Sequence, residues 1–200
     1  MSKILPITQL GKPVLRRVSR PVRSAVSAAT ARLIDDMIAT MKKAKGVGIA
    51  APQVDVGLRL FIVAPEPSVR YGRWDPRKYR EAFSAALSHA TGTVDEGPKA
   101  PKMPPVAMIN PVLVSHSRKM IADWEGCLSI PGLRARVPRY QTIEIEFTDR
   151  GGRRLRGKLT GFVARIFQHE FDHINGHVYV DRVADTRTFM TESEFRKLWP

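Results

Sequence analysis

Acidic residues are scarce in this chain of 200 residues: 19 Asp and Glu stand against 33 Lys and Arg, a formal net charge of +14. The first 34 residues hold seven Lys or Arg and no acid at all. Such an imbalance points to a polyanionic neighbour, nucleic acid above all; the bland alternative is a basic, solubilising surface. Arg16, Arg17, Arg20 and Arg23 form one basic cluster, and Arg150, Arg153, Arg154, Arg156 and Lys158 form another, but no zinc-knuckle spacing or RNA-binding signature accompanies them. Cysteine is reduced to Cys127, which excludes an intramolecular disulfide and suits a reducing compartment. No apolar run approaches the roughly 18–20 residues that span a bilayer, so no membrane partner is expected. There is no secretory core either, and the expected location is the cytoplasm, of bacterial type, with an organelle as the alternative. The acid-free N-terminus resembles a transit peptide in composition. Yet Gly and Pro interrupt "ILPITQLGKPVLRR", which reads instead as the first strand and turn of the fold.

What is present fits one sizeable core: a composition 43% hydrophobic and 26% charged, in a chain too short for two comfortable domains. Residues 1–200 are expected to form a single catalytic domain. Leu33, Ile34, Met37, Ile38 and Met41 recur at helical spacing and predict a helix over about Ser27–Lys43, with Asp35 and Asp36 on another face and Gly46 as its stop. "LRLFIVA" (Leu58–Ala64) reads as a buried strand. Pro65–Pro105 reads as an extended loop or insertion around a short helix near Arg77–His89. "VAMIN", "VLVSHS" and "TIEIEFT" read as strands, and "DRGG" turns the last into a returning strand, "RRLRGKLT". From Gly161 to Ile174 the pattern is helical and Asn175-Gly176 ends it. The expected fold class is α+β: small antiparallel or mixed sheets around a central helix carrying "HEFDH".

Three stretches carry chemistry. In "FQHEFDHINGH" (Phe167–His177), His169 and His173 lie four apart and so share one helix face, with Glu170 one step round. This is the H-E-x-x-H arrangement, two imidazoles on a metal and a glutamate that moves protons; two chance surface histidines are the bland reading. His177 keeps the spacing, but Gly176 breaks the helix before it, so it is expected at the surface or outside the ligand set. "WEGCLSIPG" (Trp124–Gly132) holds Cys127, whose thiolate suits a third position and leaves the fourth open, as catalytic sites do. "GVGIAAPQ" is glycine-rich but lacks the Lys-Ser/Thr of a P-loop and follows its helix rather than preceding it; no nucleotide cofactor is expected. Gln53 there offers an amide donor.

In this order, "GVGIAAPQ", "EGCLS" and "QHEFDH" closely resemble the peptide deformylase family, and "GKPVLRR" and "GFVARIFQHEFDHINGHVYVD" extend the resemblance over nearly the whole chain. The resemblance implies an enzyme, a metal-dependent amide hydrolase that removes the N-formyl group from the formylmethionine of nascent polypeptides and releases formate. Its ligands would be Cys127, His169 and His173, and its cofactor one divalent ion, Fe2+, with Zn2+, Ni2+ or Co2+ as substitutes. Glu170 matches the catalytic glutamate, and Gln53 and the Leu128 backbone N–H match the oxyanion-stabilising groups. Val47, Gly48, Gly126 and Arg134 would meet the peptide, with Val47, Phe162 and Ile166 forming the methionine pocket. N-formylmethionyl peptides are the implied partners, and the basic surface would add transient ribosome association. Three departures from the compact bacterial members stand out: the long insertion, the expected lack of a long C-terminal helix after "FRKLWP", and Arg165 one turn before His169, where compact members carry an apolar pocket residue. Two rivals remain at this point, a zinc endopeptidase and a basic RNA-binding protein with a closed structural metal.

Overall fold

A computed structural model of the chain describes residues 2–64 and 105–198. In it the helical spacing after Ser27 becomes α1 (Ala28–Lys43), with the Ser27 hydroxyl accepting from Thr30 N at the start and Lys42 and Lys43 at the negative end. The stop differs from the expected one. Lys45, not Gly46, takes the left-handed conformation (φ 54°), and Gly46 N then donates back to Met41 O at 3.0 Å. Gly46 is small for a different reason: a Cβ there would lie 3.0 Å from Leu128 Cδ1. Asp36 is buried rather than on the wet face, because its carboxylate accepts from Lys3 N. Thr40 Oγ1 likewise accepts from Leu5 N. The N-terminal segment is therefore laid along α1. It forms no strand, only extended chain and a 3₁₀ turn at Pro13–Arg16, tied by single bonds from Thr8 N to Gln53 O and from Leu10 N to Ser129 O.

Among the described residues eight strands follow: β1 (Gly48–Ala50), β2 (Leu60–Val63), β3 (Val106–His116), β4 (Met120–Cys127), β5 (Ile130–Tyr140), β6 (Thr142–Thr148), β7 (Arg154–Thr160) and β8 (Met190–Thr191). They make an antiparallel five-stranded sheet in the order β1-β2-β3-β6-β7 and a three-stranded sheet, β4-β5-β8. β2 is two residues shorter at its start than expected. "VAMIN" and "VLVSHS" are one strand, not two. It bends at Asn110 (φ 50°), whose side chain pairs with both backbone groups of Val22. β5 carries Pro131 and Pro138, which hid it from a strand reading. The short helix expected near Arg77–His89 and nearly all of the 65–105 insertion lie outside the described residues.

The core has two layers because β2 is buried on both faces. Phe61 and Val63 point to α2 (Gly161–Ile174), together with Met108, Ile143, Ile145 and Phe147. Leu60 and Ile62 point to Ile34, Met37 and Met41 of α1. On its other side α2 meets the three-stranded sheet. The helix that carries "HEFDH" is thus central, and the architecture is the expected α+β one. A short C-terminal helix, α3 (Glu192–Leu198), follows β8.

Phe167 anchors α2, fully buried and edge-on to Phe61 with ring centroids 5.2 Å apart. Phe167→Ala should cost about 3–5 kcal/mol, read as a shifted denaturant midpoint. Val26→Ala, at a site 66% exposed, should stay within about 0.5 kcal/mol.

Candidate metal centre and active site

On α2 the two imidazoles of His169 and His173 face one point, and the end of β4 brings Cys127 to it from the other sheet. The ligand atoms of these three residues all lie within 4.8 Å of one another, the one such cluster among the described residues. Cys127 Sγ is 3.3 Å from His173 Nε2, close to the roughly 3.6 Å edge that a tetrahedron with ordinary S and N bond lengths to a divalent ion would have. The donor set therefore fits a single small ion with one position left over. His177 is elsewhere: Gly176 (φ 79°) turns the chain, His177 N returns to Asp172 O, and the side chain is exposed.

The orientation of His169 is fixed from behind. Its Nδ1 is 2.9 Å from Glu125 Oε2, which turns Nε2 toward the cluster. Glu125 is itself held in two-pronged fashion by Arg139, at 2.9 and 3.0 Å, and Arg139 reaches on to Asp172 at 2.6 Å. Arg182 also pairs with Asp172. Arg165 adds a bond to Glu125 and others to the backbone oxygens of Val137 and Ile121. At Arg165, then, the guanidinium is spent on stitching β4 and β5 to α2. Burial would push the Glu125 carboxyl up, but the Arg139 charge and the bonds from His169 and Arg139 outweigh it and hold Glu125 well below the usual carboxylate range. Burial disfavours a charge on His169, yet its contacts with Cys127 and Glu125 raise it well above an ordinary imidazole. The site thus favours positive charge between a thiol and a carboxylate, a charge that a bound cation would supply in place of a proton.

Glu170 lies beside this point, and its Oε2 is buried with no hydrogen-bond partner among the described residues. Burial pushes its pKa up to about 7, with the Glu125 charge adding to the rise and His169 and Arg139 opposing it. Gly48 explains how the carboxylate fits: a Cβ there would come within 2.4 Å of Glu170 Oε1. Gln53 sits in a 3₁₀ turn, Ala51–Val54, with its Oε1 accepting from Ala50 N at 2.8 Å. This aims Nε2 at Cys127 Sγ (3.4 Å) and Ser129 Oγ (3.3 Å).

A cleft of about 310 Å³ opens over the cluster. Val47, Gly48, Gln53, Gly126, Cys127, Leu128, Arg134, Phe162, Ile166, His169 and Glu170 all line it, and His173 lies fully buried beneath. Arg134 packs on Gly126, where a Cβ would meet its Cζ at 3.2 Å. Sequence reasoning missed Glu125, Arg139, Asp172, Glu192 and Arg196. Glu125 and Asp172 stood inside quoted motifs; Arg139 and Glu192 carried no local signal.

The polypeptide deformylase family model matches residues 4–189. Peptide deformylase 2 of Nostoc sp. is 47% identical over 98% of this chain and 95% of its own length. Peptide deformylase 1 of Bordetella pertussis is 38% identical over 97% and 96%. Among solved structures, the Met-Ala-Ser-bound class I type b peptide deformylase of Acinetobacter baumannii superposes with a TM-score of 0.73 at 35% identity, covering 92% of this chain and all of that one. The actinonin complex of the Synechococcus elongatus peptide deformylase gives 0.71 at 29% identity, over 98% and 85%.

The buried chain from Arg139 through Glu125 to His169 makes a specific demand. Glu125→Gln should weaken Zn2+ or Ni2+ binding about 10–100-fold, the usual scale for a group that orients a ligating imidazole. Competitive chelator titration measures it, and unchanged affinity would show that Glu125 does not act on the site.

Proposed function

Because the chain belongs to the peptide deformylase family, the metal-dependent hydrolases that remove the N-formyl group from nascent peptides, we propose that Cys127, His169 and His173 hold its metal and that Glu170, Gln53 and Leu128 carry out the chemistry. The observation that carries this reading is the meeting, over one cluster of ligand atoms, of a buried carboxylate and an amide donor from three separate chain segments. We take the ion to be Fe2+, on the family resemblance; Zn2+, Ni2+ and Co2+ suit the same donors, and Zn2+ ordinarily outcompetes Fe2+.

When bound, the ion acts as a Lewis acid that acidifies water and polarises the formyl carbonyl. Glu170 takes the proton of the attacking water and later delivers it to the departing amine, so that formate and a free N-terminus result. A carboxyl raised toward neutrality suits both halves of that exchange. Gln53 Nε2 and the Leu128 backbone N–H donate to the carbonyl oxygen as it becomes negative, and loss of one such donor typically costs about 10²–10³ in rate. The crowding around Gly48 favours a formyl carbon, which bears only hydrogen, over an acetyl carbon. Val47, Phe162 and Ile166 supply the apolar wall for the methionine side chain, and the backbone of Val47, Gly48 and Gly126 meets the peptide.

The relatives named above are bacterial, and a cytoplasmic location, where formylated chains emerge, is part of the proposal. Among the described residues no helix is long and apolar enough to cross a membrane. Ribosome association, if carried by the basic surface, falls to Arg17, Arg20 and Arg23. The other cluster is largely spent on its own acids: Arg150 pairs with Asp35, Arg153 with Asp149, Arg154 with Glu146 and Arg156 with Glu144.

Formate release from a formyl-Met peptide tests the activity itself. Cys127→Ala should lose stoichiometric metal, while His177→Ala keeps it; metal analysis that finds His177→Ala empty would overturn the ligand set. Glu170→Gln should retain the metal and lose most turnover, and near-normal formate release would remove it as the proton carrier. Cosedimentation with ribosomes should fall as salt rises, since phosphate contacts release counterions, and should fall further in an Arg17/Arg20/Arg23 triple Ala variant. Binding indifferent to both would leave the charge as a solubility feature.

A further inference from the structure

The family match ends at residue 189, yet the cleft wall continues past it with Glu192 and Arg196. β8 brings them there by pairing Met190 with Arg134 and Thr191 with Leu133 on β5. On α3 the two side chains lie one turn apart on the same face. The Glu192 carboxylate is shared: Oε2 accepts from Arg134 Nε at 2.5 Å and Oε1 from Arg196 Nε at 3.1 Å. Arg134 is the inner member, 4% exposed, with its guanidinium 4.7 Å from the centre of the Phe195 ring. Arg196 is the outer member, with 66% of its side chain exposed. The outermost of the three groups is thus a guanidinium, carried by the largely exposed Arg196.

We propose that Arg196 is a specificity-determining residue that favours substrates with an acidic side chain downstream of the formylmethionine and disfavours basic ones. In the same proposal Glu192 is a positioning residue that keeps Arg134 and Arg196 on the wall. The inference rests on the deformylase reading of the cleft and adds a preference to it. A peptide held by its first residue over the cluster must leave along a cleft wall, and this wall presents Arg196 there. A guanidinium matches a carboxylate in both charge and fork geometry. Charge on a cleft wall acts more strongly than on open surface because the low-dielectric walls focus its field.

The test compares formyl-Met-Ala-Glu-amide with formyl-Met-Ala-Lys-amide on the intact, metal-loaded chain. At low salt kcat/KM should be about fivefold higher for the Glu peptide, the scale of one exposed charge pair acting attractively in one case and repulsively in the other, and the gap should close as salt rises. Arg196→Glu should reverse the order. Arg154→Glu makes the same change of net charge at a side chain 81% exposed on the β7 hairpin and should leave the order as it was. Glu192→Asp keeps the charge but shortens the reach to both guanidiniums, and should narrow the gap between the two peptides through KM more than through kcat. Equal kcat/KM for the two peptides, an order that Arg196→Glu fails to reverse, or an equal effect of Arg154→Glu would each overturn the proposal. A loss confined to kcat would remove the positioning role of Glu192. Absence of formate from both peptides would instead contradict the deformylase reading itself.

Discussion

One buried guanidinium holds the working parts together. Arg139, on the second sheet, grips Glu125 of the neighbouring strand and Asp172 of the central helix at once. All three are at most 8% exposed. Such a cluster is expensive to desolvate, and replacing it by apolar residues would often be neutral or stabilising. Its value lies in orientation. Glu125 can address His169 only if its own charge is held, and Asp172 keeps the helix in register with the hairpin that delivers Cys127. Breaking the cluster on one side would leave a charge stranded, at a typical cost of about 3–5 kcal/mol. Packing and site geometry thus depend on the same few atoms.

Close approach is the second constraint. Gly48 and Gly46 are not needed for unusual backbone angles; each leaves space for another side chain, Glu170 in one case and Leu128 in the other. The effect is to press a carboxylate against β1, where burial raises its proton affinity, while the bonds from Arg139 and His169 hold Glu125 ionised. Two glutamates separated in this way by their surroundings suit different tasks: one holds an imidazole, and the other is the group proposed above to exchange a proton.

The C-terminal segment extends the site beyond the family's matched region. A two-residue strand, β8, is enough to seat α3 at the cleft because Phe195 packs under Arg134 and against Trp124. What the compact core leaves open, this segment closes with a mixed pair of charges. The cleft therefore has a floor set by the Cys127, His169 and His173 cluster and a wall that includes Arg134, Glu192 and Arg196.

The local patterns were strong enough to read directly. The 3.6-residue spacing places α1 and α2, the latter residue for residue, because an amphipathic face is written in nearby positions; α3 is not legible in it. The i, i+4 histidines and the adjacent glutamate are legible for the same reason, and Cys127 is legible because a thiolate suits the third position of a two-imidazole site and "EGCLS" resembles the family motif. Other features required the fold. β5 was hidden by its prolines, and the N-terminal segment is tied down by side chains of α1 rather than by strand pairing, so its own sequence could not show its conformation. Arg139 and Glu192 lie 14 and 58 residues from the groups they bind, Glu125 and Arg134. A pairing across that distance leaves no periodicity in the sequence, and only the packing of one sheet on the helix, and of the tail on β5, brings the charges within reach.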